Sequence, residues 1–559
     1  MEHNDLKKLE INTDVLIVGG GGAALRAALA ADGAGAEVLL ATKGPAGKSG
    51  ATYYSVAEVG AFNVPDGSID PTDNPDVFYQ DIMNAALGMA DPHLARIVAD
   101  EAAETKNYLE RCGMSFTRTA DGNYMGYLAC FSSKPRSHVI ENHFKPICAA
   151  LLGKIEERGI ARLEGITITG LLVADGICRG AVGLKDDHLV TIRAKSVIMA
   201  TGGGSTLFRR NMYPTDITGD GYGLAHRVGA RISNMEFIQA GIGLAWPTVN
   251  LFGNQLWETV PHLTNDQGNS FLSRYIIGDY EEEAVVRAKG GHFPFSSRDI
   301  SRFVEIGVQR EITEGQPTER GNVYLDFLNT DFDRLFADDS SRLKAMWPLT
   351  YQRFLDLGVD LYKEKIEIAC FAHAINGGIL IDENSESSVS GLFAAGEVAS
   401  GPHGADRLGG NMSVTCQIFG RRAGEAAARR AKELPTHEPI FDLVDKELAR
   451  LEQFGSLSAV EAEALLTTLQ RAADDSLLIV REGAKLERFL STLNELEHRL
   501  YKDNTPDTVP VVRLAELQNL IDTGRLVATA ALRRKESRGS HYRSDYPDLD
   551  PALSSPIIL

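Results

Sequence analysis

The stretch TDVLIVGGGGAALRAALAADGAGAEVLLATK, residues 13–43, decides the fold. Its first part, TDVLIVGG (13–20), is a short apolar, β-branched run, the pattern of a strand buried in a parallel sheet. Gly19 to Gly22 follow, then an alanine-rich helical segment, then a second apolar strand, AEVLLATK (36–43). Strand, glycine-rich turn, helix and second strand make the βαβ unit of a dinucleotide-binding fold. The first glycine permits the tight turn, and Gly21 lets a pyrophosphate approach the backbone. The phosphate then meets the helix N-terminus, where free N–H groups and the dipole favour an anion. Ala24 closes the motif and is small enough for the helix to pack on the strand. An NAD-binding unit would carry an acid at the end of the second strand; Thr42-Lys43 stand there, which weighs against NAD.

Working outward, a chain of 559 residues is too long for one core and predicts about three or four domains. The formal net charge of −19 argues against a nucleic-acid partner, which would need a basic face to neutralise phosphates. The N-terminus MEHNDLKKLEIN lacks the apolar core of a signal peptide, and no run of ~18 apolar residues predicts a membrane span. The expected location is cytoplasmic. The cysteines at 112, 130, 148, 178, 370 and 416 are scattered without a CxxC, so they read as reduced thiols, with neither a metal site nor an iron–sulfur cluster expected.

The remaining pattern divides the chain. Residues 161–201 alternate strands with Gly and Asp turns, ending in ATGGG (200–204). Residues 236–365 are mixed, with aromatic and Gly/Pro-rich segments, and read as an inserted domain. Strand-like GGILID (377–382) and GLFAAGEVA (391–399) return to the first character, a long helix starts near Val414, and 440–535 reads as a helical bundle. The expected domains are therefore a dinucleotide-binding domain in two parts, 1–235 and 366–430, an inserted domain at 236–365 and a helical C-terminal domain at 431–559. The tail from Lys535 is polar with little periodicity. Gly202-Gly203-Gly204, Gly219-Asp220-Gly221 and Gly396-Glu397 are small-residue segments far apart in sequence. One extended ligand lying across a sheet edge explains them together.

At this point the sequence resembles the flavoprotein subunits of succinate dehydrogenase and fumarate reductase, with L-aspartate oxidase and the adenylylsulfate reductase flavoprotein as relatives. The resemblance rests on DVLIVGGGGAALRAAL, VIMATGGG, TGDGYGLAHRVGA, SRDISR, AHAINGGI, GLFAAGE, PHGADRLGGN and ESRGSHYRSDYP, in the family's order along almost the whole chain. It implies an α/β fold: a Rossmann-like FAD-binding domain interrupted by an α+β capping domain and followed by a helical C-terminal domain. It assigns Gly19, Gly21, Gly22, Lys43, Thr52, Thr201, Gly202, Gly203, Asp220 and Glu397 to FAD. Several relatives attach FAD through a histidine after the second strand. Here Ser49-Gly50-Ala51-Thr52 offers no such side chain, so non-covalent FAD is implied.

The resemblance also singles out Arg298, His373 and Arg407 as catalytic, with Thr264 and His403 near the substrate. Matching residues in fumarate reductases clamp a carboxylate (the positions of His373 and Arg407) or move a proton (that of Arg298). These residue types suit reduction of a C=C bond beside a carboxylate, because fixed cations stabilise the charge that develops as hydride arrives. An arginine acting as proton donor needs a neighbouring acid, for which Asp299 is the expected candidate. The departures bear on specificity. Ala240-Gly241-Ile242-Gly243 replaces the relatives' His-Pro-Thr-Gly, Thr264 is followed by Asn265-Asp266 rather than Glu-Gly, and IENHFKP replaces Ala-Asp-x-Thr-Gly near residue 140. One half of a dicarboxylate site is expected intact and the other rebuilt, so fumarate and succinate are expected to be poor substrates. The reading is an FAD-dependent oxidoreductase of CH–CH groups acting on a small anionic carboxylate, served by a diffusible electron carrier or a separate iron–sulfur or flavin protein. The alternatives are amino-acid oxidation, sulfur-group redox chemistry and a non-catalytic flavoprotein subunit.

Overall fold

The computed structural model of the protein describes residues 7–54, 59–186, 188–337, 342–434, 440–502 and 509–559. The apolar runs read from sequence form the centre of a seven-stranded sheet. Six of its members are β1 (Lys7–Val18), β2 (Val38–Thr42), β3 (Ala161–Glu164), β4 (Thr167–Ala174), β5 (Ile177–Lys185) and β6 (His188–Met199), in the order β3-β2-β1-β6-β5-β4. Val15–Val18 pair in parallel with Val38–Ala41 on one side and with Ser196–Met199 on the other. These residues are buried throughout, as strands covered on both faces must be.

Helix α1 (Gly22–Gly33) returns from β1 to β2 and buries ten of its residues. It packs closely on a helix of the C-terminal half of the nucleotide domain, Asn411–Glu433. At Gly420 and Gly424 a methyl group would come within 2.7 Å of Ala23 O and 2.3 Å of Ala27 O, so two small residues set the crossing distance.

The inserted region carries a separate antiparallel sheet: β7 (Ile238–Trp246), β8 (His262–Thr264), β9 (Val323–Asp326) and β10 (Ile366–Ile375), in the order β7-β10-β9-β8. The sequence places the end of the inserted domain at 365. β10 pairs with both β7 and β9, so the inserted sheet runs on to residue 375. A strand buried on both faces reads alike in either sheet, and the apolar run IEIACFAHAI gave no sign of which it would join. Short strand β11 (Leu392–Ala394) then returns to the large sheet and pairs with the end of β6.

Helices Phe441–Leu451, Ala459–Leu477, Gly483–Lys502 and Val511–Arg533 follow. The first part of the polar tail after them, 536–543, is buried. Arg534 donates to Glu236 at 2.6 Å and to Glu536 at 2.8 Å, and Arg538 donates to Glu536 at 2.7 Å. The tail also holds two loops that matter below: Ser297 N donates to Gly539 O at 2.7 Å, and Ser540 Oγ to Ala405 O at 2.7 Å. Among the described residues no helix is long and apolar enough to cross a membrane.

Candidate active site

The carboxyl ends of β1, β6 and β11 lie side by side. Ala200 N donates to Val18 O at 2.8 Å, and Ala395 N donates to Met199 O at 3.0 Å. Their glycine-rich continuations therefore share one edge, where ligands of open α/β sheets bind. A cavity of about 340 Å³ runs along this edge, in the size range of ligand pockets (roughly 300–1,000 Å³). Gly19, Gly21, Gly22, Lys43, Thr52, Thr201, Gly202, Asp220 and Glu397 line it. Gly203 lies just behind: a methyl there would fall 2.2 Å from Glu397 Oε1.

Gly19 has φ +128, and a Cβ on it would sit 2.1 Å from Ala200 O. Only glycine makes this turn. Gly21 differs, because its backbone is extended and a Cβ would meet nothing closer than Thr52 Oγ1 at 3.4 Å. The space beside Gly21 belongs to the cavity. Gly21 caps α1 without a side-chain hydrogen bond, which leaves N–H groups at the helix start for an anion. Thr201 Oγ1, Asp216 Oδ1 and Gln417 Oε1 line the same cavity as buried polar atoms without partners. Buried polar atoms find partners as a rule, so these fit a polar ligand. Together these features suit a dinucleotide laid across the sheet edge. Gly21→Ala should therefore fold normally yet weaken FAD binding at least tenfold, about 1.4 kcal/mol. Flavin titration of the apoprotein measures this, and unchanged affinity would move the phosphate away from the turn.

Lys43 lines the cavity but is already engaged. Its ammonium contacts Asp220 and Glu516 at 2.8 Å each and Thr218 at 2.6 Å. It organises the acids around it rather than presenting a free positive charge. Glu397 Oε1 accepts from Ile375 N at 3.1 Å, and burial raises its carboxyl to about 7.

At the other end of the cavity the structure brings His373 and Arg407 together. His373 sits near the end of β10. Its ring stacks on Tyr213 with centroids 5.3 Å apart and meets Phe293 edge-on at 5.6 Å, and Nδ1 has no partner. Burial lowers its imidazole to about 3, so it is neutral. Arg407 donates to Leu408 O at 3.0 Å, its Nε is unpartnered, and among the described residues no carboxylate is in ion-pair contact with it. A buried guanidinium without an acid is costly to maintain and is set to receive an anion.

Three other predicted residues lie away from the cavity wall. Arg298 pairs with Asp406 at 2.6 Å and stacks on Phe131. Its acid is thus Asp406, not the expected Asp299, which is held by His292 at 2.8 Å and Ser301 N at 2.8 Å. His403 is buried against Thr415 Oγ1 at 3.2 Å. Thr264 is on edge strand β8, where its hydroxyl contacts Lys365 at 3.3 Å; the structure does not bring it to the cavity.

Sequence reasoning missed His143, Tyr213, Gln239 and Phe293, all of which line the cavity. Asn142 and His143 both adopt φ 59, an unusual pair of left-handed residues, and His143 Nδ1 has no partner. Gln239 anchors the Arg407 backbone, Nε2 donating to Arg407 O at 3.0 Å.

The nucleotide cradle on one sheet edge thus shares its cavity with Arg407 and His373, and the comparisons with known proteins make the class an FAD-dependent oxidoreductase. A family model described as FAD binding domain matches residues 14–413, and one described as fumarate reductase flavoprotein C-term matches residues 466–552. The chain is 33% identical to a fumarate reductase (CoM/CoB) subunit of Methanothermobacter marburgensis, over 98% of this chain and 96% of that one. It is 30% identical to the L-aspartate oxidase of Synechocystis sp., again over 98% and 96%. The solved structure of Mycobacterium smegmatis Sdh1 in complex with UQ1 matches with a TM-score of 0.83 at 28% identity, covering 98% of this chain and 91% of that one. The chain belongs to the succinate dehydrogenase and fumarate reductase flavoprotein family.

Proposed function

We propose that this flavoenzyme exchanges two electrons with a CH–CH or CH=CH pair adjacent to a carboxylate. The observation that carries the reading is Arg407, a buried guanidinium with no acid of its own, beside the unpartnered His373 nitrogen at the cavity wall. Bound FAD supplies a two-electron centre able to give or take hydride. The protein's own residues do the rest. Arg407 binds the carboxylate and orients the bond next to it, and the neutral His373 adds a hydrogen bond without a second positive charge. Both hold charge that grows on the carboxylate side as the bond is reduced.

Arg298 stands off the cavity wall, and in this reading it delivers the proton when the inserted region closes over the substrate. Its guanidinium reaches from the inserted region to Asp406, the residue before Arg407, so the two arginines are held in one frame. Ser296 Oγ also donates to Asp406, at 2.7 Å. Electrons enter or leave through a diffusible carrier or a separate redox protein. The experiment is an anaerobic screen of saturated carboxylates for bleaching of oxidised enzyme and of 2-enoates for reoxidation of reduced enzyme. Steady peroxide production with an amino acid, and no response to either carboxylate set, would replace this reading with amine oxidation.

The cofactor is held without a covalent bond in the same reading. Gly50, Ala51 and Thr52 line the cavity where the attaching histidine would stand, and nothing lies within 4 Å of a Cβ built on Gly50. Acid precipitation should leave yellow flavin in the supernatant; flavin retained in the pellet would overturn this.

A further inference from the structure

We propose that the substrate is a monocarboxylate whose other end is an apolar, ring-sized group seated against Phe293. The proposal rests on the reading above that Arg407 and His373 take the carboxylate. It begins at Gly241 on β7, which pairs with Phe371 on β10, two residues before His373. A side chain built on Gly241 would meet Phe293 O at 2.6 Å and the Phe293 ring at 3.0 and 3.1 Å. Phe295 N donates to Ala240 O at 2.7 Å, and Gly241 bridges Pro294. The 293–295 segment therefore lies along β7 and fixes the phenyl ring in the space a longer residue at 241 would fill.

Gly243 shows the same substitution of neighbours for its own side chain, since a Cβ there would meet Met212 Cε at 2.2 Å and Phe371 at 3.1 Å. The Phe293 ring faces the cavity edge-on to His373. Tyr213 and Leu251 belong to the same apolar cluster and also line the cavity, as do Tyr127, Cys130 and Pro294.

This end of the cavity has one cation among the described residues, Arg407. The imidazoles of His143 and His373 are lowered to about 4 and about 3 by burial, so neither supplies a second. A second carboxylate would lose its water without gaining a counter-charge. An apolar group would shed water and pack on a ring already placed for it, and an aromatic group would gain edge-to-face contact as well.

The test titrates oxidised holoenzyme with succinate, butanoate and 3-phenylpropanoate, following the flavin absorbance. In parallel, stoichiometrically reduced holoenzyme is mixed anaerobically with fumarate, 2-butenoate and 3-phenylpropenoate. Each C=C bond reduced takes up a hydride, carrying two electrons from the reduced cofactor, and one proton from the protein or water. The phenyl acids should bind at least tenfold tighter than the four-carbon monoacids and at least a hundredfold tighter than the diacids, with the same rank in reoxidation rate. Phe293→Leu should shrink the phenyl preference severalfold, read as the ratio of 3-phenylpropanoate to butanoate affinity within the variant. Diacids binding as tightly as the phenyl acids, or reoxidising as fast, would overturn the apolar end and leave the carboxylate reading standing. If no acid perturbs or reoxidises the flavin, the carboxylate reading fails and takes this inference with it.

Discussion

Arg407→Lys should lower kcat/KM at least a hundredfold while the purified protein stays yellow. The loss corresponds to about 2.7 kcal/mol of transition-state stabilisation. It is large because the site offers no substitute. Arg407 is buried, its Nε has no protein partner, and the neighbouring imidazole of His373 is neutral. A guanidinium presents two parallel donors to a carboxylate, whereas an ammonium is a compact point charge that keeps a stronger claim on water. Lysine at 407 therefore preserves the charge and loses the fork. Both kinetic constants should move, KM upward and kcat downward, because the same contact holds the ground state and the charge that grows on it. The protein should survive the change, since among the described residues no carboxylate is left unpaired by it. Steady-state kinetics and flavin content together decide the point. A variant with normal kcat/KM and full flavin would remove Arg407 from the substrate site.

The nucleotide cradle was legible because its signals are local. A strand, a four-glycine turn and a helix are adjacent in sequence, and the left-handed backbone at Gly19 is a requirement of the turn itself. The meeting of His373 with Arg407 was legible only through the resemblance, because 34 positions separate them and no periodicity links them. The partner of Arg298 was not legible at all. Asp299 is its neighbour in sequence, but the chain turns at 297–299 so that Asp299 faces His292 and Arg298 reaches Asp406. Hydrophobic patterning said nothing of the burial of the polar tail from Lys535. Glu536, Arg538, His541 and Arg543 are buried, and what satisfies them is polar: Glu536 pairs with Arg534 and Arg538, Arg543 with Asp545, and His541 meets Arg481. Phe293 was hidden in a Gly/Pro-rich segment, GGHFPF, whose composition reads as loop. What places its ring is the contact with Gly241, fifty-two residues earlier, and the absence of a side chain there was read from sequence only as a lost histidine.

Acidification should destabilise the protein from pH 6.5 downward, and the cause is buried histidine. Burial lowers the imidazoles of His143, His373 and His403 to about 4, 3 and 3, against an ordinary value near 6.5 in the unfolded chain. Between 6.5 and those values the unfolded chain binds protons that the native state refuses. Stability from these groups is thus complete above pH 6.5 and is lost as the pH falls towards 3. At pH 5 the loss is about 2 kcal/mol per imidazole, or roughly 6 kcal/mol for the three. Glu397 acts in the opposite sense. Its carboxyl is raised to about 7 by burial, so the native state takes up a proton on acidification before the unfolded chain does. It returns about 2.5 kcal/mol by pH 5, less than the three imidazoles together cost. A total stability of the usual ~5–15 kcal/mol would be visibly eroded. His403 is the residue to change, because it lies behind the cavity wall and its ring nitrogen is in hydrogen-bond contact with Thr415 Oγ1. In His403→Gln the amide keeps a hydrogen bond to Thr415 and cannot titrate. Urea unfolding of the holoprotein at pH 7.5 and 5.5, followed by flavin release, should show a pH penalty smaller in the variant by about 1.4 kcal/mol. An equal penalty in the two proteins would mean that the His403 imidazole already takes up its proton in the native state.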